Sequence, residues 1–229
     1  MEFKDRKKDI LDILYSKGRV SVAELSKVLF VSEMTIRRDL CEMEKSGVLK
    51  RYRGGAVLMT VSSEMPISQR FFVDETEKMQ LSKKAVKYLS DDQTIYIDSS
   101  STCHYIIPYV SRFKNVTIVT NSINALLIAS KSQIPCILLG GKYYDKDMCF
   151  VGSLAEQYAH DINVDVAFFS SLGLSEDGII SDSDIEQASI RKIIMSHSGK
   201  NIFLFEKNKL NRTYLYTLCD ENDVDEVLT

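Results

Sequence analysis

Hydrophobic positions in the first quarter of the chain recur at helical spacing, in three short runs. The first run covers about residues 4–17 and stops at Gly18, a residue type that often follows the end of a helix. The second covers residues 22–29, and the third starts at residue 33. The inward-facing positions of the first and third runs are Ile10, Leu11, Ile13, Leu14, Ile36, Leu40 and Met43. The pattern predicts three helices that share one small core.

The third helix carries the polar residues that suggest a function. Residues 32–40 have the sequence SEMTIRRDL, in which Ser32 can cap the helix and the arginines lie outside the apolar stripe. The second helix has its own capping box, formed by Ser21 and Glu24, and the tight turn between the two helices is typical of a helix-turn-helix. In that motif the later of the two helices, here the third helix of the chain, enters the DNA major groove, where arginine binds guanine. The alternative is a solvated amphipathic helix with two surface arginines.

A small basic hairpin is predicted after the third helix. Two β-prone segments within residues 48–58 flank the glycines at 54–55, and Lys50, Arg51 and Arg53 cluster on them. Beside a helix-turn-helix, such a hairpin is typical of a wing that holds the DNA backbone. A surface turn with solvated charges is the alternative. The residues predicted to bind DNA are Ser21, Ser32, Met34, Thr35, Arg37, Arg38, Lys50, Arg51 and Arg53.

Beyond residue 93, apolar runs of strand length alternate with helical stretches. Strands are predicted at residues 94–98, 116–120, 136–140, 165–170, 201–205 and 214–218. Helices are predicted near residues 103–113, 122–132, 153–161 and 184–198. Continuous apolar strands that alternate with helices indicate a mainly parallel sheet covered on both faces, which is a Rossmann-like α/β fold.

A loss of periodicity marks the boundary between the two regions. Residues 59–72 contain two serines and Pro66 and follow no clean pattern, and a helix then begins near residue 74 or 75 and continues to about Leu89. We therefore expect a winged helix-turn-helix domain at residues 1–58, a linker at 59–74 and an α/β effector-sensing domain at 75–229.

Polar residues follow several of the predicted strands, at the edge where parallel α/β sheets bind ligands. The hydroxyls and backbone N–H groups of residues 98–102, which precede a helix, suit a phosphate. Glycines at 140–141 allow a ligand to approach the backbone, and Glu206 and Lys209 lie just past a strand. Each residue alone fits an ordinary cap or turn equally well. Several of them on one sheet edge favour a binding site.

Charge is distributed unevenly, although the net charge of the 229 residues is only −3. Residues 1–58 hold 13 basic and 9 acidic side chains, whereas the remainder holds 16 basic and 23 acidic ones. The basic end suits nucleic acid and the acidic end would be repelled by it, which indicates two domains with separate tasks. The acidic run at residues 220–226 is expected to be a loop.

Composition argues against several other classes of protein. No apolar run is long enough to span a bilayer or to form a signal-peptide core, so a cytoplasmic protein without a membrane partner is expected. The five cysteines form no C-x-x-C pair and the three histidines complete no metal-ligand spacing, so no metal or cofactor is expected. Asp98, Glu186 or Glu206 could serve as a base in an enzyme, but no convincing acid–base pair or P-loop accompanies them.

Nearly the whole chain resembles the DeoR family of bacterial transcriptional regulators. The N-terminal part carries SVAELSKVL, VSEMTIRRDL, Gly47 and RYRGGA, and the remainder carries IDSSST, VTNS, LLGGK, FVGSLA, DVAFFSSLGL and FEKNKL. The resemblance implies an effector domain with the fold of ribose-5-phosphate isomerase, which binds a phosphorylated sugar or related metabolite. It also implies that Lys209 pairs with the phosphate. The effector-binding residues that it implies are Asp98, Ser100, Ser101, Thr102, Thr120, Asn121, Gly140, Gly141, Gly173 and Lys209.

Together these observations predict a DNA-binding transcriptional regulator, a repressor of carbohydrate-metabolism genes, without catalytic residues. The expected partners are double-stranded operator DNA and the phosphorylated effector, and a homodimer or homotetramer is expected to bind spaced half-sites. An effector that prefers one arrangement of the domains changes the affinity for DNA. The alternatives are a sugar-phosphate isomerase or deaminase fused to a DNA-binding domain, and a DNA-architectural protein without a ligand.

Overall fold

The computed structural model describes residues 3–17, 19–45, 49–58 and 65–229. These residues form two compact units that divide between Met65 and Pro66. Gly18, which is predicted to follow the first helix, and Gly47, which is part of the family resemblance, lie outside the described residues, as does the 59–64 part of the predicted linker. Each unit has a hydrophobic core of its own.

The helices of the first unit lie close to their predicted positions. They are α1 (Phe3–Lys17), α2 (Val22–Leu29) and α3 (Glu33–Lys45). Ser21 caps α2 by accepting from the Glu24 N–H at 3.1 Å, and Ser32 caps α3 by accepting from the Thr35 N–H at 3.2 Å. Phe30, at the turn between them, has a left-handed backbone with a φ of 53°. The predicted helix-turn-helix is therefore present.

A three-stranded antiparallel sheet completes the first unit. Its strands are β1 (Arg19–Ser21), β2 (Leu49–Tyr52) and β3 (Gly55–Leu58), in the order β1–β3–β2. The predicted hairpin is β2–β3, whereas β1 was not predicted because three residues are too few to show a period. Gly55 pairs with Ser21, and a Cβ on Gly55 would lie only 2.2 Å from the Val20 carbonyl oxygen. Only glycine therefore lets β3 approach β1 so closely.

The core of the first unit lies between the three helices and this sheet. Its fully buried side chains include Ile10, Leu14, Leu25, Ile36 and Met43. Arg6 on α1 donates to both carboxylate oxygens of Asp39 on α3, at 2.7 and 3.2 Å, and both side chains are covered. Because two N–H groups bind two oxygens, this pair fixes how α3 is oriented on α1.

The second unit alternates strands and helices along most of its length. In chain order its elements are α4 (Ile67–Arg70), α5 (Glu75–Ala85), β4 (Thr94–Ile97), α6 (Ile107–Val110), β5 (Thr117–Thr120), α7 (Ile123–Lys131), β6 (Cys136–Leu138), β7 (Lys142–Tyr144), β8 (Cys149–Val151), α8 (Ser153–His160), β9 (Val166–Phe169), β10 (Gly173–Leu174), β11 (Ile179–Asp182), α9 (Ile185–Ser196), β12 (Asn201–Leu204), β13 (Tyr216–Asp220) and β14 (Glu226–Leu228). Short 3-10 turns lie at Val86–Tyr88, Cys103–Ile106, Asp145–Asp147, Lys207–Lys209 and Glu221–Asp223.

A six-stranded parallel sheet organises this unit, in the order β14–β12–β9–β4–β5–β6. Successive side chains of one strand enter opposite cores: Ile95 and Ile97 pack with α5, α6 and α7, whereas Tyr96 packs with α8 and α9. Both faces of the sheet are therefore covered, as the continuous apolar strands predicted. The predicted fold class, a winged helix-turn-helix followed by a mainly parallel Rossmann-like domain, is confirmed.

Residues 214–229 contain one predicted strand that lies in an unexpected sheet and one prediction that is wrong. The strand predicted at 214–218 is β13, and it lies in a separate antiparallel sheet with the order β10–β11–β13. The acidic run at 220–226 is not a loop throughout, because it begins in β13 and ends in β14, an edge strand of the parallel sheet. Leu228, which is buried, anchors that edge. Two adjacent apolar residues in β14, Val227 and Leu228, were too few to predict a strand.

The second half of the predicted linker belongs to the second unit. Residues 67–70 form α4, and Ile67 and Val73 are almost fully buried. Arg70 of α4 pairs with Asp147 in the turn between β7 and β8. Two isolated apolar residues six positions apart match neither the helical nor the strand period, so the sequence pattern could not reveal this packing.

Candidate functional site

The outer face of α3 carries the side chains predicted to bind DNA. Because Ile36 and Leu40 turn inward, Met34 is 77% exposed and Arg37 and Arg38 project into solvent. The hydroxyls of the caps are already engaged, since Ser32 Oγ lies 2.9 Å from Thr35 Oγ1 as well as accepting from its N–H. The caps therefore set where α3 begins, and the exposed side chains after them are available to a partner.

Two arginines, one on α3 and one on β2, are held by glutamates that a phosphate could replace. Arg37 donates to Glu33, one helical turn earlier, at 2.6 Å. Arg51 on β2 donates to Glu44 through its side chain at 2.7 Å and its backbone N–H at 2.8 Å, and these contacts lower the pKa of Glu44. Exposed pairs of this kind contribute little to stability because water and salt screen them. Exchanging a glutamate for DNA phosphate is therefore easy.

A cleft of about 370 Å³ lies between α3 and the β2–β3 hairpin. Its walls include Arg37 and Glu44 on α3, and Arg51, Tyr52 and Arg53 on the hairpin. The exposed cations around it, with Arg38 and Lys50, suit a negatively charged partner. A helix that presents arginines beside a basic hairpin can bind base edges with the first and phosphates with the second.

The second candidate site lies where β4, β9 and β12, which are neighbours in the parallel sheet, reach their carboxyl ends. Residues 99–102, here called the hydroxyl loop, follow β4 and are buried. Asp98 accepts from the N–H and Oγ of Ser100, at 2.9 and 2.5 Å, and from the Ser170 N–H at 3.1 Å. Its carboxylate therefore positions the hydroxyl loop on β9 and has little capacity left for a ligand.

Lys209 joins the ends of three strands. Its ammonium lies 2.8 Å from Ser170 Oγ, 3.3 Å from Thr102 Oγ1 and 2.8 Å from Glu206 Oε2. The Thr102 hydroxyl donates to the other oxygen of Glu206 at 2.8 Å. The structure thus brings together Thr102, Glu206 and Lys209, which the sequence analysis placed at one sheet edge, and adds Ser170 to them.

Lys78 on α5 is a member of this cluster that the sequence analysis missed. Its side chain is only 3% exposed, and the ammonium donates to Ser101 Oγ at 3.0 Å and to the Arg70 carbonyl oxygen at 2.5 Å. Glu206 Oε1 lies 3.5 Å from it. A signal was present, because Lys78 precedes Leu81 by three positions and so lies on the buried face of α5.

Arg191 on α9 is a second missed residue. Its guanidinium donates to Asp98 at 3.2 Å and to Asp182 at 2.7 Å, and Asp182 also accepts from the Ser171 hydroxyl at 3.1 Å. A buried guanidinium needs such partners, because an unpaired charge there would be strongly destabilising. Arg191 lies one turn after the buried Gln187, so it too occupies the inward face of its helix.

Lys78, Lys209 and Glu206, here called the lysine–glutamate cluster, bring two ammonium groups to one carboxylate. Burial by itself would raise the pKa of Glu206, but the ammonium groups of Lys209 and Lys78 outweigh this effect and lower it to about 2. Burial lowers the pKa of Lys78 to about 8, so its ammonium remains mostly charged at neutral pH. Two ammonium groups then share the Glu206 carboxylate, and the carboxylate of Asp74, which acts on both lysines at longer range, is a second acid near them.

Thr120 and Asn121, which were predicted to bind the effector, are engaged in local contacts. The Thr120 hydroxyl accepts from the Ser122 N–H at 3.0 Å. Asn121 accepts from the Tyr96 hydroxyl and donates to the Phe150 carbonyl, both at 3.0 Å. These contacts tie the end of β5 to β8, so both side chains have structural partners already.

The three predicted glycines lie at different places in the unit. Gly141 leads into β7, and a Cβ there would lie 2.8 Å from the Val151 carbonyl oxygen, whereas Gly140 beside it has open space around it. Gly173 lies in β10 of the smaller sheet, where a Cβ would meet the Arg212 carbonyl at 2.4 Å. Gly141 and Gly173 therefore permit close backbone packing within the fold, and their role toward an effector stays a prediction.

The described residues hold neither a cluster of metal ligands nor a helix that could cross a membrane. Among the described residues, no three histidine, cysteine, aspartate or glutamate side chains are arranged to hold a metal ion. All five cysteines are free thiols. In the part of the chain that the structure describes, every helix is too short or too polar to cross a membrane.

Two family models match the chain, one for each unit. A model described as a DeoR-like helix-turn-helix domain matches residues 6–61, and one described as the DeoR C terminal sensor domain matches residues 73–229. The predicted family resemblance is thereby confirmed, and with it the prediction of a DNA-binding transcriptional regulator with a sensor domain.

Curated relatives cover almost the whole chain. The lactose phosphotransferase system repressor of Staphylococcus epidermidis is 31% identical over 98% of this chain and 91% of its own length. The L-fucose operon activator of Haemophilus influenzae is 32% identical over 96% of this chain and 89% of its own length. A solved structure of D-ribose-5-phosphate isomerase in complex with phospho-erythronic acid matches 59% of this chain and 54% of that one, with 22% identity and a TM-score of 0.45.

Proposed function

We propose, since this chain belongs to the DeoR family of transcriptional regulators, that it represses genes of carbohydrate metabolism under the control of a phosphorylated sugar. It acts in the cytoplasm on double-stranded operator DNA. Two relatives support the link to sugars, because one is named a lactose phosphotransferase system repressor and the other an L-fucose operon activator. The first of these two relatives is named a repressor, which is the direction of control proposed here.

One observation carries the proposal for the effector. The lysine–glutamate cluster has two ammonium groups for one carboxylate, and both ammonium groups touch hydroxyls of the hydroxyl loop or of Ser170. A phosphate oxygen accepts from ammonium and hydroxyl groups alike, and its negative charge is attracted by the two ammonium groups. Lys209, whose side chain is 15% exposed, is the open edge of the cluster and the point of entry.

The same groups are poorly suited to catalysis. A general base works best with a pKa near 7, but the pKa of Glu206 is held at about 2 and Asp98 is saturated by donors. Burial lowers the pKa of His104 to about 4, and its ring stacks on Phe71 with 5.2 Å between the centroids. These features support binding of the phosphorylated compound without turnover, and so a sensor instead of an isomerase or deaminase.

The DNA-binding unit implies that the protein works as a homodimer or homotetramer. A single helix in one major groove contacts few base pairs and gives limited affinity and specificity. Two copies of α3 that bind half-sites about one helical turn apart supply both. The oligomer is measured by size-exclusion chromatography with light scattering, and a monomer that binds its operator with full affinity would contradict this part of the proposal.

A thermal-shift screen tests the effector class. The purified protein is heated with a panel of sugar phosphates, with the unphosphorylated sugars and with inorganic phosphate at matched ionic strength. A ligand that binds only the folded state raises the melting temperature, by an amount that grows with the ratio of ligand concentration to Kd. We expect one sugar phosphate to give a large shift and its parent sugar none. Equal shifts for a sugar and its phosphate would contradict a phosphate site.

Fluorescence anisotropy with promoter DNA then tests the direction of control. The labelled fragment is taken from upstream of the gene for this chain or of a neighbouring sugar operon, and the sugar phosphate from the screen is titrated into the complex. Release of the DNA is the result expected of an inducible repressor. Tighter binding would assign the compound as a corepressor or the protein as an activator.

A further inference from the structure

The first helix of the second unit, α4, is connected to both sides of the hydroxyl loop. It begins at Ile67, one residue after the boundary between the units. Two routes of hydrogen bonds leave the loop, one from Ser101 and one from Ser99, and both end on Arg70. This convergence joins the candidate anion site to the segment of chain that follows the DNA-binding unit.

The first route runs through the lysine that the anion would bind. Lys78 donates to Ser101 Oγ at 3.0 Å and to the Arg70 carbonyl oxygen at 2.5 Å. The Val73 N–H donates to the same carbonyl at 3.2 Å, so that oxygen fixes the end of α4 and the turn after it. The ammonium of Lys78 is thus shared between the hydroxyl loop and the backbone of α4.

The second route runs through the hairpin formed by β7 and β8. The Ser99 hydroxyl donates to the side-chain oxygen of Gln187 at 3.0 Å, and the Gln187 amide donates to Asp147 at 3.0 Å. Asp147 in turn pairs with the guanidinium of Arg70, and these two side chains are only 13% and 17% exposed. A second contact therefore holds α4 independently of Lys78.

We infer that Arg70 is a latch that holds α4 on the sensor until an anion binds. Lys78 has three N–H groups and three acceptors: Ser101, Glu206 and the Arg70 carbonyl. An anion that binds Lys78 must replace one of them. Ser101 belongs to the anion site and Glu206 is held by opposite charge, so the neutral Arg70 carbonyl is the acceptor that is given up. This inference rests on the proposed function of the lysine–glutamate cluster.

Release of the carbonyl leaves the guanidinium of Arg70 as the remaining contact of that residue with the sensor, beside the packing of Ile67 and Phe71. The helix then opens more often, and the chain between the two units gains freedom when the site is occupied. An anion that loosens α4 in this way changes the affinity of the DNA-binding unit for DNA without contacting that unit. The anion site and the DNA site are coupled because both depend on which of two states α4 adopts.

Hydrogen exchange of the full-length protein tests the latch. Exchange is followed by mass spectrometry in sodium phosphate and in sodium chloride of equal ionic strength. We expect phosphate to slow exchange in peptides covering 98–104. In peptides covering 66–74 we expect phosphate to speed exchange about fivefold, which is the lower limit of the usual coupling factor between two sites. In Arg70→Gln the 66–74 peptides exchange faster even without phosphate, and phosphate raises that rate further while still slowing 98–104.

Two more variants make the test specific. Asp147→Asn breaks the same ion pair from the hairpin side and should reproduce Arg70→Gln. Lys142→Gln removes an exposed ion pair between the same hairpin and α9, with Glu186 at 2.9 Å, and should match the unmodified protein. If Lys142→Gln also speeds exchange at 66–74, the effect comes from general loosening of the hairpin and the latch is wrong.

The outcomes separate the latch from the anion site. Slower exchange at 98–104 with unchanged or slower exchange at 66–74 would overturn the latch and leave the proposed function intact. No response to phosphate at 98–104 in any of the proteins would overturn the anion site, and the latch with it.

Discussion

The two units of this protein treat charge in opposite ways. In the DNA-binding unit, the cations of α3 and the hairpin are exposed and pair, where they pair, with exposed glutamates such as Glu33 and Glu44. In the sensor, Lys78, Arg191 and Glu206 are buried, and each lies against a group of opposite charge. Exposed charges exchange partners readily, which suits a polyanion whose phosphates replace glutamates. Buried charges cannot be left unpaired, so a ligand that enters must rearrange the network.

The first unit also contains one ion pair that is covered. Arg6 and Asp39 form a covered pair there, between α1 and α3, on the side of α3 that faces its own core. Charge on the inner face of α3 therefore orients the helix, and charge on its outer face is left for a partner. Five predictions test this division, beginning with the largest expected effect.

Removing the inner carboxylate should be the most damaging change. Asp39→Ala leaves the covered guanidinium of Arg6 without its carboxylate, and breaking such a pair costs about 3 kcal/mol, at the low end for buried pairs because it lies in a small unit near the surface. Native-state hydrogen exchange of α1 and α3 peptides measures the loss. The matched control is Glu42→Ala, an exposed acid on the same helix, which should have little effect. Equal losses in the two variants would show that the inner pair does not orient α3.

Removing the outer cations should weaken DNA binding without unfolding the unit. Arg37→Ala with Arg38→Ala should reduce operator affinity by about 100-fold, since contacts to base edges contribute roughly 1–3 kcal/mol each. Lys50→Ala should instead weaken operator and unrelated DNA alike and reduce the salt dependence of binding. Fluorescence anisotropy over a range of salt concentrations measures both. An unchanged operator affinity in the double variant would remove α3 from the DNA contact.

In the sensor, loss of one lysine should abolish the response to the effector. Lys209→Ala removes a charge-assisted contact and should weaken effector binding at least about tenfold, while operator binding without effector stays unchanged. Lys207→Ala is the control, because Lys207 lies in the same turn with its side chain in solvent. Calorimetric titration with the compound from the thermal-shift screen measures binding. A normal response in Lys209→Ala would refute its role toward the phosphate.

The two binding activities should differ in their dependence on pH. Arginine stays charged at all accessible pH values, so operator affinity should be flat between pH 7 and 9. Burial holds the pKa of Lys78 at about 8, so its ammonium is present below that pH and lost above it. Anion binding should therefore weaken as pH rises through 8, by up to about tenfold per unit. Lys78→Met should bind weakly without this dependence, and a flat profile in the unmodified protein would contradict the role of Lys78.

The smallest effect is expected for the exposed pair on α3. Glu33→Gln removes a contact between residues one turn apart, which stabilises a helix by only about 0.2–0.5 kcal/mol. Stability measured by exchange of α3 should hardly change, but Arg37 is no longer held by Glu33. Operator affinity at low salt should rise slightly. A large loss of stability would mean that the ion pairs on the outer face of α3 do not exchange partners readily.

The fold was largely predictable because its signals are local and repetitive. Capped helices at 22–29 and 33–45 and apolar strands such as 166–169 each carry several residues of one period. β1 and β14 were missed because three residues do not establish a period, and α4 because Ile67 and Val73 are isolated. The strand at 216–220 was predicted, but alternation along a strand does not tell which sheet the strand joins.

The candidate site was predicted less completely, for a different reason. The hydroxyl loop and Lys209 stand at strand ends, where sequence position alone indicates a function. Lys78 and Arg191 lie inside helices, and a pattern that assigns charged residues to solvent places both on the wrong face. Their partners, Glu206 and Asp98, are distant in sequence, so only the folded chain shows that two lysines share one carboxylate.

The contact of Gly55 with Val20 bears on how chimaeric regulators are built. Because β3 can lie against β1 only when residue 55 has no side chain, the β2–β3 hairpin and the strand that leads into α2 must be kept together. A graft that moves the α2–α3 pair and leaves the preceding strand behind would attach a foreign backbone to this wing. Exchange of operator-reading modules between such proteins should therefore cut upstream of Arg19, so that strand, helices and wing travel together.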